Sequence, residues 1–254
     1  HAFAFYNTSK NEIILSRDHV GIKPLYFTET SKGMIFSSEI KTLLPYVSTS
    51  NIIDRLALAC TSLLGVNILR QTIFKGIYKV LPGETMIYDL SKKKFKSIYR
   101  NLVRPLSNKK LNIDEFKHNT KNAVKQSTLG LRKFGMFLSG GIDSSLIAME
   151  LKNELGDLCS YTNIMKPNVI TKTEDYNSDA KIAKKFAKKF EMNHKEIEIN
   201  PSIILNYWDE SIKYMEEPRY NFNMPMYYYM NKMLSENGTV VTMAGDIGDE
   251  LFGG

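Results

Sequence analysis

The chain has 254 residues, of which 43% are hydrophobic and 24% charged, with a formal net charge of +7. That length allows two modest domains, and that composition belongs to a globular protein with a buried core rather than to a disordered or fibrous chain. The longest apolar region, Ile52 to Leu69, is interrupted by Asp54, Arg55 and Asn67, so nothing in it crosses a membrane, and no signal peptide is visible.

In chain order, Ala2 to Tyr6, Glu12 to Ser16 and Met34 to Ser37 read as strands of a small sheet, with turns at Asn7 to Asn11 and Ser31 to Gly33. Ser38 to Leu44 reads as a short helix ended by Pro45. Asn51 to Leu64 reads as a longer one with Asn51 as N-cap and Gly65 past its end. Thr85 to Tyr88 and Phe95 to Tyr99 bracket a Lys-rich turn as a β-ribbon. Residues 1–100 therefore form an α+β half, Asn101 to Asn112 with Pro105 reads as a linker, and a second domain covers 113–254.

That second domain alternates. Asp114 caps a helix carrying Phe116, Ala123, Val124 and Leu131, and a strand at Met136 to Leu138 leads into a helix over Ser144 to Asn153. A strand at Leu158 to Met165, a helix at Asp179 to Phe190 and a strand at Lys195 to Ile199 follow. Helices over Ser202 to Met215 and Met224 to Glu236 precede a last strand, Thr239 to Met243. Alternation of this kind predicts a parallel sheet covered on both faces, with ligands beyond the carboxyl ends of its strands. Ser139-Gly140-Gly141 and Ala244-Gly245-Asp246 both fall there.

The stretch Phe134 to Ser145 is a strand that breaks into a Gly-Gly turn and then a helix. Loop N–H groups, the positive end of the helix and the hydroxyls of Ser139, Ser144 and Ser145 can converge on phosphate, and Asp143 offers a carboxylate to Mg²⁺. The absence of a Gly-Lys-Ser/Thr ending excludes the Walker-type loop. Asp246, Asp249 and Glu250 crowd into five residues after a buried strand. Their mutual repulsion calls for a cation, the alternative being loop capping. Elsewhere packing accounts for the pattern: Ala183, Phe186, Ala187 and Phe190 form a core-facing stripe, Met226, Tyr227, Tyr228, Tyr229, Met230 and Met233 read as a buried amphipathic helix ended by Gly238 in preference to an aromatic binding platform, and His194 reads as a structural hydrogen-bonding residue. The Lys92 to Lys94 and Lys184 to Lys189 clusters read as solvated surface or as a contact with an acidic partner. No interleaved aromatic and basic pattern points to nucleic acid. Cys60 and Cys159, without metal-type spacing, read as reduced, buried thiols of a cytoplasmic protein.

Ser139-Gly140-Gly141-Ile142-Asp143-Ser144-Ser145 resembles the pyrophosphate loop of the ATP pyrophosphatases. Together with Arg17 to Tyr26, Phe36 to Lys41 and Gly245 to Gly254, in family order, the chain is similar to glutamine-dependent asparagine synthetases. The resemblance implies the later part of an N-terminal-nucleophile hydrolase sandwich followed by a Rossmann-like ATP-pyrophosphatase domain. The activity it implies is amidation of aspartate by glutamine-derived ammonia through an aspartyl-adenylate, with ATP and Mg²⁺. Asp143 and Asp249 match metal-binding aspartates, and Asp246 matches an acidic residue beside the substrate, the catalytic candidate. Phe137, Asn163, Ala244 and Gly245 match positions lining the adenosine pocket, with Leu138 in the same ATP-binding set, and Glu216-Glu217-Pro218 resembles a segment shaping the aspartate side. Two departures stand out: Ile247 where glycine is usual, and Asn163 where an apolar residue is usual.

The resemblance implies a nucleophile that is the mature protein's first residue, a cysteine, for which His1 is no substitute, and Gly254 falls where a helical region would follow, so the chain reads as an internal fragment that by itself neither hydrolyses glutamine nor catalyses the synthetase reaction well. Arg17 and Asp18 could bind glutamine or hold the turn before Gly21. The acceptor, and whether the protein is a homodimer, stay open. So do a β-lactam-synthetase-like intramolecular amidation and a non-catalytic nucleotide-binding module.

Overall fold

The computed structural model describes residues 1–48, 52–101, 110, 112–130, 132–165, 177–218, 223–246 and 248–249. Asn51, Ile247, Glu250, Leu131 and most of the 101–112 connection lie outside them. The chain forms two compact units, residues 1–108 with 212–222 and residues 109–211 with 223–254.

The first unit holds β1 (Ala2–Asn7), β2 (Glu12–Arg17), β3 (Tyr26–Thr30), β4 (Gly33–Ser37), α1 (Arg55–Leu64), β5 (Tyr78–Lys79), β6 (Glu84–Asp89) and β7 (Lys94–Arg100). An antiparallel sheet of order β1-β2-β6-β7 and a second of order β4-β3-β5 share one core. Period-2 alternation puts Leu15 and Met86 of the first sheet against Phe27 of the second, closed by Leu25 and Val80. The ribbon of β6 and β7 forms as the sequence predicts, with a register shift at Ile87/Tyr88. Helix α1 starts later than its apolar pattern does. Asp54, not Asn51, is the N-cap, accepting from Ala57 N–H at 3.0 Å, and Gly65 closes the helix at φ 71°.

The helix expected over Ser38 to Leu44 does not form. Residues 38–43 are turns, followed by a 3₁₀ turn, Leu44–Tyr46, which contains Pro45 rather than ending at it. Ile40 and Leu43 are buried all the same, in a small cluster with Ile77. Their apolar spacing reflects that cluster and not a helix face.

The second unit holds α2 (Ile113–Ser127), β8 (Phe134–Phe137), α3 (Ile142–Leu155), β9 (Cys159–Met165), α4 (Ser178–Lys189), β10 (Asn193–Ile199), α5 (Pro201–Asn206), α6 (Trp208–Met215), α7 (Met224–Glu236) and β11 (Val241–Met243). Helix α6 runs on into residues of the first unit. Asn112, not Asp114, caps α2, accepting from Asp114 and Glu115 N–H at 3.0 and 3.1 Å. The single helix expected over Ser202 to Met215 is two, meeting at Tyr207.

Among the described residues the strands of this unit are parallel, in the order β10-β9-β8-β11. One face packs Met136 and Leu138 against Ala148 and Leu151 of α3 and Ala183 and Ala187 of α4, while the other packs Tyr161, Ile197 and Ile199 against Met226, Met230 and Leu234 of α7. This is the parallel α/β sheet that the alternating pattern predicts. The chain builds outward from β8 to β9 and β10, then returns to add β11 on the other side of β8. The strand order therefore reverses between β8 and β11, where open α/β sheets leave a crevice at their carboxyl ends. No described helix is long and apolar enough to cross a membrane.

Candidate functional site

A cleft of about 360 Å³ opens at that reversal point. The turn after β8 builds its floor. Leu138 N–H donates to Tyr161 O at 2.9 Å, and the Thr162 hydroxyl donates to Leu138 O, so the end of β8 is pinned to β9. The chain then bends at Gly140, whose φ of +86° suits glycine, and a Cβ there would fall 2.8 Å from Asp179 O and 2.9 Å from Ala183 N of α4. Ser144, nearly fully buried, ties the turn. Its hydroxyl accepts from Ser139 N–H at 3.3 Å, pairs with the Ser139 hydroxyl at 2.9 Å and reaches Gly141 O at 3.2 Å. Gly141 is the N-cap of α3, and no side chain caps that helix, so its first N–H groups and the positive end of its dipole are left for a ligand.

The loop after β11 lies directly on this helix start. A Cβ on Gly245 would sit 2.5 Å from Ser144 N and 2.8 Å from Ser144 Cα, and one on Gly248 would sit 2.3 Å from Asp143 Cγ. Both glycines are there because backbone and carboxylate approach too closely for any side chain. Asp143, Asp246 and Asp249 all line the cleft. Tyr227 on α7 faces it as well. Burial raises its phenol pKa, and the charge of Asp246 adds to the effect.

Of the residues singled out from the sequence, Phe137, Leu138, Ser139, Gly141, Asp143, Ser144, Asn163, Ala244, Gly245, Asp246 and Asp249 line this one cleft. Gly140 and Ser145 do not. Gly140 shapes the turn from behind, and Ser145 spends its N–H on Gly141 O at 3.1 Å. Tyr227, Tyr161, Thr162 and Met230 line the cleft too, although their apolar pattern reads as plain core. For Tyr227 the available signal was its place three residues before buried Met230, one helical turn earlier and at the strand-end side of α7. Among the described residues no group of three or more His, Cys, Asp and Glu side chains could hold a metal. Asp143 and Asp249 are two carboxylates on one wall, a donor set that suits Mg²⁺ sharing its ligands with phosphate oxygens.

In the first unit, Arg17 and Asp18 hold a turn and are not paired by a hydrogen bond. The Arg17 guanidinium donates to Lys23 O, Val80 O and Gly21 O at 2.7 to 2.8 Å. Asp18 accepts from Val20, Ile22 and Lys23 N–H at 3.0 to 3.2 Å. Burial alone would raise the Asp18 carboxyl pKa, but hydrogen bonds from the Ile22 and Lys23 N–H groups pull it the other way, below the usual carboxylate range.

Glu216 and Glu217 belong to this unit, and neither lines the cleft just described. Glu216, at φ 63°, accepts from Ile40 and Lys41 N–H at 2.8 and 2.9 Å. Glu217 takes Asn67 Nδ2 at 3.0 Å, Ile73 N–H at 3.1 Å and Lys79 Nζ at 3.0 Å. Removing Glu217 leaves the Ile73 N–H without its acceptor and the largely buried Lys79 ammonium without its counter-charge, although Asn67 Nδ2 keeps Gln71 O and Lys79 Nζ keeps Asn67 O. Glu217→Ala is expected to cost about 2–4 kcal/mol in urea unfolding, and a loss under about 0.5 kcal/mol would show the cluster to be solvated. Cys60 and Cys159 are free thiols, half-buried rather than fully buried.

A parallel α/β unit with a glycine turn and a bare helix start at its strand-order reversal belongs to the class of folds that bind phosphate-bearing ligands. Residues 115–254 match the asparagine synthase family and residues 1–99 match the glutamine amidotransferase domain, so the chain belongs to the asparagine synthase family. It is 27% identical over 259 residues to "Putative asparagine synthetase (glutamine-hydrolyzing) 2" of Methanocaldococcus jannaschii, covering 100% of this chain and 49% of the relative. It is 24% identical to asparagine synthetase (glutamine-hydrolyzing) 3 of Bacillus subtilis, covering 100% and 43%. The chain thus spans about half the length of the curated relatives it matches. Among solved structures, the NH3-dependent NAD synthetase of Campylobacter jejuni is similar to 56% of this chain over 61% of its own length, with TM-score 0.39 and 16% identity.

Proposed function

We propose that the second unit binds ATP with its triphosphate on the turn Ser139 to Ser144, and that the protein adenylates aspartate for amidation by ammonia drawn from glutamine. The observation that carries this reading is the uncapped start of α3, enclosed by the glycine loop and facing the carboxylates of Asp143 and Asp249.

In this reading the N–H groups at the start of α3 hold the β- and γ-phosphates, leaving the α-phosphorus exposed toward Asp246. A substrate carboxylate oxygen attacks that phosphorus, the bond from it to the bridging oxygen breaks, and pyrophosphate leaves with the electron pair. Ammonia then attacks the acyl carbon, AMP departs through its phosphate oxygen, and the nitrogen gives up a proton, for which Asp246 in the cleft lining is the acceptor. Asp143 and Asp249 would hold Mg²⁺, which supplies charge neutralisation to the departing pyrophosphate. Leu138, Ala244 and Gly245 form the wall along which the nucleotide lies. The first unit, through its match to the glutamine amidotransferase domain, belongs to the part that supplies ammonia.

The test is product analysis. With the full-length protein of which this chain is a part, ATP, Mg²⁺, aspartate and an ammonia source are expected to give AMP and pyrophosphate in equal amounts, with neither formed when aspartate is left out. ADP and orthophosphate as products would contradict the reading, because cleavage would then fall between β and γ.

A further inference from the structure

The amino ends of β8, β9 and β10 frame a second cavity of about 340 Å³, at the opposite end of the sheet from the cleft described above and sharing only Tyr161 with it. Arg132 and Lys133 line it from the start of β8, Asp157, Cys159 and Tyr161 from β9 and the turn before it, and Lys195 from β10. Register and alternation put Cys159, Tyr161 and Lys195 on one face of the sheet, the face that packs α7.

The lining is rich in donors. Its three cationic side chains outnumber its one carboxylate, Asp157. Lys133 gives its ammonium to Asn237 O at 2.8 Å, but among the described residues the side chains of Arg132 and Lys195 have neither an ion pair nor a hydrogen bond. The buried part is polar too. The Tyr161 phenol, only 2% exposed, lies beside the Cys159 thiol and the Thr239 hydroxyl. Gly135 permits that approach, since a Cβ there would fall 3.0 Å from Thr239 Cγ2 and 3.2 Å from Tyr161 Cε2. Thr239 is 7% exposed, and its hydroxyl is buried without a hydrogen-bond partner. An orphaned hydroxyl behind a phenol that opens on a cavity marks an incomplete polar network.

We propose that this cavity binds a small phosphate-class oxyanion, held by Arg132 and Lys195, with the Tyr161 phenol donating to it from the buried side. A guanidinium can donate to two oxygens at once, and an ammonium adds a point charge from another direction. A tetrahedral oxyanion has acceptors for all three donors, whereas a planar carboxylate has two oxygens. Once the phenol O–H donates to the anion, its oxygen is left to accept from Thr239, and the orphaned hydroxyl is satisfied. The proposal stands whether or not the other cleft takes ATP.

The cavity carries its own reporter. Cys159 lines it as a free thiol, while Cys60, in the first unit, serves as the internal reference. The full-length protein of which this chain is a part is treated with iodoacetamide, an uncharged reagent, and alkylation of the two cysteines is followed by peptide mass spectrometry. Inorganic phosphate at about 20 mM is expected to slow alkylation of Cys159 about fivefold or more and to leave Cys60 unchanged, while chloride at the same ionic strength changes neither. Arg132→Gln combined with Lys195→Gln should abolish the protection, and Lys195→Gln alone should weaken it. Both side chains are exposed, so the fold is kept, and neither lines the other cleft, so the loss reports on this cavity alone. No slowing by phosphate, equal slowing of both cysteines, or protection that survives in the double variant overturns the proposal. So does a native Cys159 that fails to react, because its thiol would then not open on the cavity. Equal protection by acetate overturns the assignment to phosphate.

Discussion

Replacing Asp143 by asparagine is expected to lower Mg²⁺-dependent pyrophosphate release by at least about two orders of magnitude while leaving the fold intact. The side chain lies at the first turn of α3, lines the cleft, and has the Cα of Gly248 packed against its carboxylate. An amide of the same shape fits that space, so packing is kept. It lacks the charge that draws Mg²⁺ beside a triphosphate. A steady-state assay of pyrophosphate, with circular dichroism to confirm folding, checks this. Release within about threefold of the native rate would remove Asp143 from the metal site.

The second large effect is expected from Gly245→Ala. A methyl group there would lie 2.5 Å from Ser144 N, 2.8 Å from Ser144 Cα and 3.0 Å from Asp143 C, all backbone atoms of the first turn of α3. No side chain can rotate away to relieve this. Either the loop after β11 or the start of the helix moves, at a cost of about 1–3 kcal/mol or more, and the N–H groups meant for phosphate move with it. Gly141→Ala is the informative contrast, since its methyl would meet only Ser139 Oγ at 3.4 Å. Urea unfolding should show a clearly larger loss for Gly245→Ala than for Gly141→Ala. Equal losses would mean that the loop after β11 yields freely and does not brace the turn.

These two sites were legible in the sequence because they depend on local patterns: an apolar strand, glycines where backbone must turn or approach, then a helix. The parallel sheet was legible for the same reason, and α7, Met224–Glu236, has the bounds its periodicity predicts. The misreadings are non-local. Ile40, Leu43 and Leu44 have helical spacing, yet the Ile40 and Lys41 N–H groups bond the carboxylate of Glu216, 176 and 175 residues away, and the segment turns rather than coils. No window around residue 40 contains that partner. Strand β3, with Phe27 and Thr28 both buried, loses the alternation that would mark it, and β5 is only two residues long. Helical spacing shows which face of α7 is covered but not where the cover stops, so it does not separate Tyr227 from the core residues. The residue is 45% exposed and lines the cleft.

The central claim is that a carboxylate oxygen of the substrate attacks the α-phosphorus of ATP. Aspartate labelled with ¹⁸O in its side-chain carboxylate tests it most directly, by mass spectrometry of the nucleotide product after turnover with Mg·ATP and ammonia. The account predicts one ¹⁸O in the phosphate of each AMP, left there when ammonia breaks the acyl–oxygen bond. AMP free of label would contradict it.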